Sequence, residues 1–487
     1  MALTPSRRGL LVITDWQLKP SDLKKYPHFD KYLPLEKAIA IASDPRQVAS
    51  NPFYPFIRYL KAWRPYRPSE KPKKERPIRY ASRRDAYIFA RYRYLLAEAY
   101  ECELIRCGIA HAPIAYRKIA AGPESGRGKC NIDFAKNAFD CIRTFAPCSV
   151  VALDISSYFE NIDHNRLREI WCRLLGFTDL PPDHAAVFRA ITRYAVVDRN
   201  KLYERLGIIG EKERNGKAVK GYKKSYQEIP KQLCTPADFR AKVAGGDPSL
   251  PTIIEINNNP FGIPQGAPIS DILANIYLID FDMLMDKYAR DRGGSYFRYS
   301  DDILLIIPGD VSEGNMARDY AMAQITKFGD QIKIKKEKTA VIKYEPKIDG
   351  FLDYKFIDGS QGKNGLEYLG FRYDGKRVYL RDSTVSGFYR KITFALRYEA
   401  RAFVARYPGK NVDFLMDNFD VEGFIKRFGR VEDFDPLASH KEWTFWTYAQ
   451  RAATTFGAAG QPIYRQISGH RDLIFRRLRE TFEKALS

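Results

Sequence analysis

Two apolar runs that each meet an acidic residue organise the middle of this chain. Val150-Val-Ala-Leu-Asp154 reads as a buried strand that delivers one carboxylate at its end. The stretch Ser295-Tyr-Phe-Arg-Tyr-Ser-Asp-Asp-Ile-Leu-Leu-Ile-Ile307 is aromatic and β-branched on both flanks, so it reads as two buried strands with Asp301-Asp302 at the turn between them. Helical spacing dominates elsewhere. Ile88, Tyr92, Leu95, Leu96, Ala99 and Leu104 predict a long helix over 83–107, and similar patterns predict helices over 131–145, 163–175, 270–288 and near 315–329. Ser270 is the expected N-cap of its helix. Short strands are expected around 339–343, 366–373 and 376–381, followed by a helical tail over 385–486 in about four segments, broken at Pro408-Gly409, near Pro436 and at 457–462. Short helical patterns broken by Pro20, Pro27, Pro34 and Pro45 occupy residues 1–50, and 177–260 is an insertion whose fold the pattern leaves open. The expected class is α+β, with antiparallel strands and helices in one architecture.

Charge narrows the partners. The 487 residues carry 80 Lys plus Arg against 59 Asp plus Glu, a formal net charge of +21 that favours a polyanion. Cations crowd residues 57–93, where Arg58, Lys61, Arg64, Arg67, Lys71, Lys73, Lys74, Arg76, Arg79, Arg83, Arg84, Arg91 and Arg93 face only Glu70, Glu75 and Asp85. Tyrosines and Trp63 are interleaved, the combination by which a groove grips phosphates and stacks bases. The plain alternative is a basic helical surface whose tyrosines pack inward. Seven cysteines without a CxxC pair predict reduced thiols rather than a zinc site. Apolar runs fall well short of the ~20 residues that span a bilayer, and 9–14 is too short for a secretory core, so a cytoplasmic protein without a membrane partner is expected.

Adjacent aspartates on a buried hairpin are costly unless something neutralises them. A pair of divalent cations held by Asp154, Asp301 and Asp302 would do so. A solvated Asp-Asp turn without chemistry is the alternative; it leaves Asp154 and the glycine-rich Gly262-Ile-Pro-Gln-Gly-Ala-Pro268 without a reason.

Six motifs, in order along the chain, resemble those of reverse transcriptases, more closely the bacterial than the retroviral ones. Arg76-Pro77-Ile78 resembles the fingers signature, and Asp154-Ile-Ser-Ser-Tyr-Phe-Glu-Asn-Ile-Asp-His164 the first palm motif of group II intron and related enzymes. Gly262 to Tyr277 is similar to their PQG motif and the helix behind it. Tyr299-Ser-Asp-Asp302 stands where those enzymes usually carry Tyr-Ala-Asp-Asp, with Ser300 as the departure. Lys338-Thr339 resembles the following lysine motif, and Tyr368-Leu-Gly-Phe371 the primer-grip turn.

The resemblance implies a right-hand polymerase: an N-terminal extension (1–50), fingers (51–147), a first palm part (148–176), the insertion (177–260), a second palm part (261–381) and a helical thumb (382–487). It implies that Asp154 and Asp301 bridge two Mg²⁺ (Mn²⁺ being an alternative ion), with Asp302 at the rim and the carbonyl of Ile155 as a further ligand. Arg76 would take the triphosphate, with Lys71, Lys73 and Lys74 as equal candidates beside a purely solvated role. Gln265 would line the incoming-nucleotide pocket, and Gly266 would allow close backbone approach. Lys338 would protonate pyrophosphate or be a plain surface lysine. Phe159 sits where these enzymes place an aromatic ring against the ribose 2′ carbon, which favours dNTPs; a palm-core role is the alternative. Arg79, Arg83 and Arg84 are expected on nucleic acid, as are Leu369 and Gly370 at the primer grip.

Further segments, 83–90, 114–118, 128–135 and 445–452, look like the defence-associated bacterial set, the abortive-infection and "unknown group" lineages. That likeness implies anti-phage immunity, a non-coding RNA template, a DNA product and dNTP substrates, with homo-oligomers in view. Competing expectations are an RNA-dependent RNA polymerase, against which Phe159 argues, and an RNA-binding maturase or scaffold, against which the intact aspartates argue.

Overall fold

The 148–154 run and the hairpin after residue 295 become neighbours in one sheet. The computed structural model describes residues 16–63, 74–122, 127–214, 216–359, 364–428 and 444–486. In chain order the strands are β1 (Phe56–Trp63), β2 (Lys74–Tyr80), β3 (Cys148–Asp154), β4 (Ala195–Asp198), β5 (Ile209–Arg214), β6 (Lys217–Tyr222) and β7 (Ile254–Ile256). They continue with β8 (Ser295–Tyr299), β9 (Asp302–Pro308), β10 (Ala340–Pro346), β11 (Leu352–Gly359), β12 (Leu366–Tyr368), β13 (Phe371–Tyr373) and β14 (Val378–Leu380).

The central sheet has the order β11-β10-β3-β9-β8, and every pairing in it is antiparallel. Both of its faces are covered. Val151, Leu153, Ile303, Leu305 and Ile307 pack into one core with the helices Arg83–Arg106, Ser270–Tyr277 and Ile279–Arg290. Val150, Leu304, Ile306 and Ile342 point the other way, into a second core with the helices Asn131–Phe145 and Phe445–Phe456. Burial on both sides explains why these strands read as unbroken apolar runs rather than as alternation.

A second sheet, β2-β1-β4-β7, carries the Arg76 region. Its strands β4 and β7 come from the 177–260 stretch, which therefore completes this sheet instead of standing apart from it. Beyond β14 the described chain is helical. The helices Asp382–Arg406 and His470–Leu486 share a core of Ile392, Leu396, Ala400, Ile474, Leu478 and Phe482. The α+β class expected from the pattern is the class observed, with antiparallel sheets and a helical C-terminal region.

Two expectations need correction. Ser270 is not an N-cap: it lies inside its helix, buried, and its hydroxyl donates to the Pro264 carbonyl at 2.7 Å. That bond anchors the glycine-rich turn to the helix. The expected 270–288 helix is also divided in two at Leu278, with segments Ser270–Tyr277 and Ile279–Arg290. No described helix is long and apolar enough to cross a membrane.

Candidate active site

Strand register brings the acids together. β3 pairs with β9 from Cys148 opposite Pro308 to Asp154 opposite Asp302. Directly opposed residues of an antiparallel pair project from the same face, so both carboxylates leave the sheet on one side. The Ile155 amide donates to the Asp301 carbonyl at 3.0 Å, which closes the end of the pair and holds the turn residue beside it. On the other flank the Lys335 amide donates to the Asp154 carbonyl at 3.3 Å. The chain then turns sharply at Ser157, whose φ of 45° is left-handed.

Beneath the hairpin lies a charge that the motif reading passed over. Arg298 is fully buried and forms a two-pronged ion pair with buried Asp282, both contacts at 2.6 Å. It also donates to the Ser300 carbonyl at 3.1 Å and the Asn275 carbonyl at 3.1 Å. Tyr296 donates to Asp282 at 2.7 Å, and Asn275 donates to the Ala115 carbonyl at 2.7 Å. Ser300 occupies a left-handed conformation, φ 60°, that non-glycine residues adopt rarely. Arg298 clamps the carbonyl of that strained residue, one position before Asp301. Along the chain its one mark is an arginine inside an apolar strand; that Asn275 and Asp282 converge on it appears only in the fold.

Electrostatics reflect the crowding. Burial first, and then Asp301 and Asp154, push the Asp302 carboxyl up to about 7. Asp301 is raised by burial and by Asp154, while Lys338 and Arg76 draw it back down. Lys338 donates to Asp154 Oδ1, so an ammonium already sits on that carboxylate. Among the described residues no three His, Cys, Asp or Glu side chains are drawn into a finished metal-binding group. What the site offers is hard oxygen donors, Asp154 close enough to push both Asp301 and Asp302 upward, with the Lys338 cation on Asp154 itself.

The side where an incoming nucleotide is expected is built by the Pro-Gln-Gly turn. The Arg79 amide of β2 donates to the Gln265 carbonyl at 2.9 Å. Gly266 has φ 115°, and a Cβ there would meet the Arg79 carbonyl oxygen at 2.7 Å, so this position requires glycine for both reasons. The Ile263 amide donates to the Phe159 carbonyl at 2.8 Å, tying the expected ribose-facing ring to the same turn. Phe159 itself is half-buried, its ring 5.9 Å from that of Tyr158.

At the expected primer grip, Leu369 (φ 47°) and Gly370 (φ 92°) form the turn from β12 to β13. Asn131 donates to the Leu369 carbonyl at 3.1 Å. A cavity of about 500 Å³ opens here, lined by Tyr116, Lys129, Asn131, Tyr299, Asp302 and Leu369. The Tyr368 hydroxyl is buried near Asp302 without a hydrogen-bond partner.

Several arginines expected on nucleic acid are wholly or partly buried, or ion-paired, within the protein. Arg83 is buried, paired with Asp30 at 3.3 Å and donating to the Lys231 carbonyl at 2.9 Å. Arg79 is buried, paired with Glu160 at 3.3 Å and stacked over Tyr194. Arg84 is half-buried, with its Nε enclosed and unpartnered. Arg58 pairs with Glu255 at 2.9 Å and Arg93 with Asp271 at 2.8 Å. Tyr87 and Tyr92 pack inward. A linear count of charges misses acids as distant as Glu160, Glu255 and Asp271, which the fold brings to these arginines. Arg76 is exposed and within electrostatic reach of Asp301. Lys71 and Lys73 lie outside the described residues, and Lys74 is described through its backbone only.

No protein-family model and no curated protein matches the chain. Solved structures do. Apo telomerase from Candida tropicalis, truncated from its C-terminal domain, is 10% identical with a TM-score of 0.38 over 74% of this chain and 64% of that one. Telomerase from Candida albicans in complex with a fragment of telomeric RNA is 10% identical with a TM-score of 0.36, over 91% and 65%. An insertion-loop deletion mutant of the RNA-dependent RNA polymerase of a human picobirnavirus is 11% identical with a TM-score of 0.36, over 96% and 76%. This chain thus spans about 64–65% of the length of those telomerases. Identities and scores this low mark a loose likeness from which no activity carries over.

Proposed function

We propose that this chain is a nucleotidyltransferase that extends a DNA strand on an RNA template, a reverse transcriptase. One observation carries the reading: Asp154 and Asp302 leave adjacent strand ends on one face, Asp301 sits beside them, and Lys338, Arg76 and Arg381 are cations within reach of the acids. Two Mg²⁺ fit this donor set, which is all oxygen and electrostatically strained without a cation; Asp154, Asp301, Asp302 and the Ile155 carbonyl would hold them. When bound, such ions supply charge neutralisation and activation of the attacking hydroxyl.

The chain's own residues do the rest. Arg76 gives a guanidinium fork to phosphate oxygens. Lys338 leaves Asp154 when that carboxylate is taken, and its ammonium is then available to a phosphate. Phe159 presents a half-buried ring that accepts no hydrogen bond, so a ribose 2′-hydroxyl has no partner there and deoxyribose is favoured. The Gln265 turn, held by Arg79 and Ser270, fixes the floor against which a base pair would form. The motif likeness to bacterial defence enzymes suggests that the template is a non-coding RNA and the role anti-phage.

The test is nucleotide addition. Purified protein with its retained RNA, Mg²⁺ and labelled nucleotides is expected to incorporate dNTPs in strong preference to rNTPs, and Asp301→Ala to abolish incorporation. Incorporation of rNTPs at equal rates would favour an RNA polymerase instead. Full biological effect in Asp301→Ala would favour a scaffold.

A further inference from the structure

The helix Asp382–Arg406 carries an exposed aromatic and basic face that neither the fold nor the catalytic cluster uses. Phe394 is 76% exposed and Tyr398 73% exposed, one helical turn apart on the same face. Large aromatics left this open are an unusual expense for a helix whose opposite side already fills a core with Ile392, Leu396 and Ala400. Neither ring contacts another ring among the described residues. Two adjoining grooves, about 740 and 550 Å³, share Phe394, Arg397 and Arg401, and the larger is closed by Lys484 of the helix His470–Leu486.

The charge around the rings is one-sided. Arg390, Arg397, Arg401, Arg477 and Lys484 line the larger groove against a single acid, Glu480. Arg397, Arg401 and Lys484 make no ion pair among the described residues. The nearby Glu399 is already taken by Arg427, at 2.9 and 2.5 Å. A protein partner would have to bring a matching set of acids and leave the rings to aliphatic contact. A nucleic-acid duplex would satisfy the cations and leave the rings idle, because its base faces are already stacked. Rings and cations are satisfied together only by a strand whose bases are unpaired.

We infer that this face is a binding track for single-stranded nucleic acid, with bases stacking on Phe394 and Tyr398 while Arg397, Arg401 and Lys484 hold the backbone. That the strand is the enzyme's own product or template rests on the polymerase reading above; the track itself does not. The helix begins beside the acids, since Arg381 at its N-cap is near enough to influence Asp302. Phe394 lies 13 residues further on, about 20 Å along the axis at about 1.5 Å per residue.

The test is fluorescence anisotropy of the full chain with labelled single-stranded DNA, single-stranded RNA and duplex, without Mg²⁺ or nucleotides. Phe394→Ala/Tyr398→Ala is expected to weaken single-strand binding at least tenfold and duplex binding less than twofold, and Phe394→Trp/Tyr398→Trp to restore it. Arg397→Glu is a second, independent disruption, and unchanged helicity by circular dichroism confirms folding of each variant. The DNA and RNA arms show which strand the track prefers. Equal loss on duplex, no loss on either strand, or a variant whose only change is its oligomeric state by sedimentation would overturn the inference. Asp301→Ala must leave binding intact: if it fails to stop nucleotide addition, the polymerase reading falls while the track stands.

Discussion

Asp302 is held where a carboxylate resists ionising, and that resistance has a direction. Its folded pKa, about 7, lies above the ordinary aspartate value of 3.8, so the folded state keeps a proton that the unfolded chain releases. Stability from this group is therefore full below about pH 4 and is lost as pH rises through 7. At about 1.36 kcal/mol per unit, the penalty is on the order of 4 kcal/mol above pH 8. In chelator-treated protein, Asp302→Asn is expected to melt higher than the parent at pH 8 and alike near pH 4; Mg²⁺ should stabilise the parent more than the variant. Equal melting curves at pH 8 would remove the strain from the account. Arg298 makes the complementary case. Arg298→Met leaves Asp282 buried without its partner, a loss of about 3–5 kcal/mol, and frees the Ser300 carbonyl. Arg298→Lys restores charge but not the fork, so it should recover melting temperature more than nucleotide addition. The three aspartates were legible because they interrupt apolar runs at strand ends. Arg298 was not, because its partners, Asp282 and Asn275, come from other elements and only the fold shows that they converge.

At the scale of elements, the Pro-Gln-Gly turn is where β2 meets the helix Ser270–Tyr277, and glycine is the reason that they can. A methyl at Gly266 would press on the Arg79 carbonyl from 2.7 Å and would also strain a φ of 115°. Gly266→Ala is expected to cost about 1–3 kcal/mol of stability. Because the turn carries Gln265, KM for the incoming nucleotide should rise with it; kinetics matching the parent would detach the turn from the pocket. The strand pattern around 148–154 and 295–307 foretold this geometry well, since a two-sided buried strand has few other readings. The 177–260 stretch resisted because β4 and β7 are only four and three residues long, and each is completed by pairing with a distant strand rather than by its own pattern. Ser270 resisted for a related reason: a serine before an apolar run signals a cap, and only the neighbouring turn reveals its bond to Pro264.

For the whole molecule, a net charge of +21 sets an expectation about salt that the fold redistributes. Read along the chain, the 57–93 cluster is the obvious phosphate grip. In three dimensions Arg58, Arg79, Arg83 and Arg93 are committed to Glu255, Glu160, Asp30 and Asp271, so they tie separate elements together and release few counterions when a strand binds. Arg397, Arg401 and Lys484 have no such commitments among the described residues, and counterion release from single strands follows the cations that are available, about 0.7 in log–log slope for each. Reversing the charge at Arg397, Arg401 and Lys484 together should make the salt dependence of single-strand affinity shallower by roughly 2 between about 50 and 200 mM. Arg83→Ala should leave that slope unchanged and lower the melting temperature instead, because it strands Asp30 in the interior. The two variants thus exchange signatures, slope for one and stability for the other. A slope that falls with Arg83→Ala, and not with the triple reversal, would return the grip to the 57–93 cluster and show that the ion pairs there open when nucleic acid arrives.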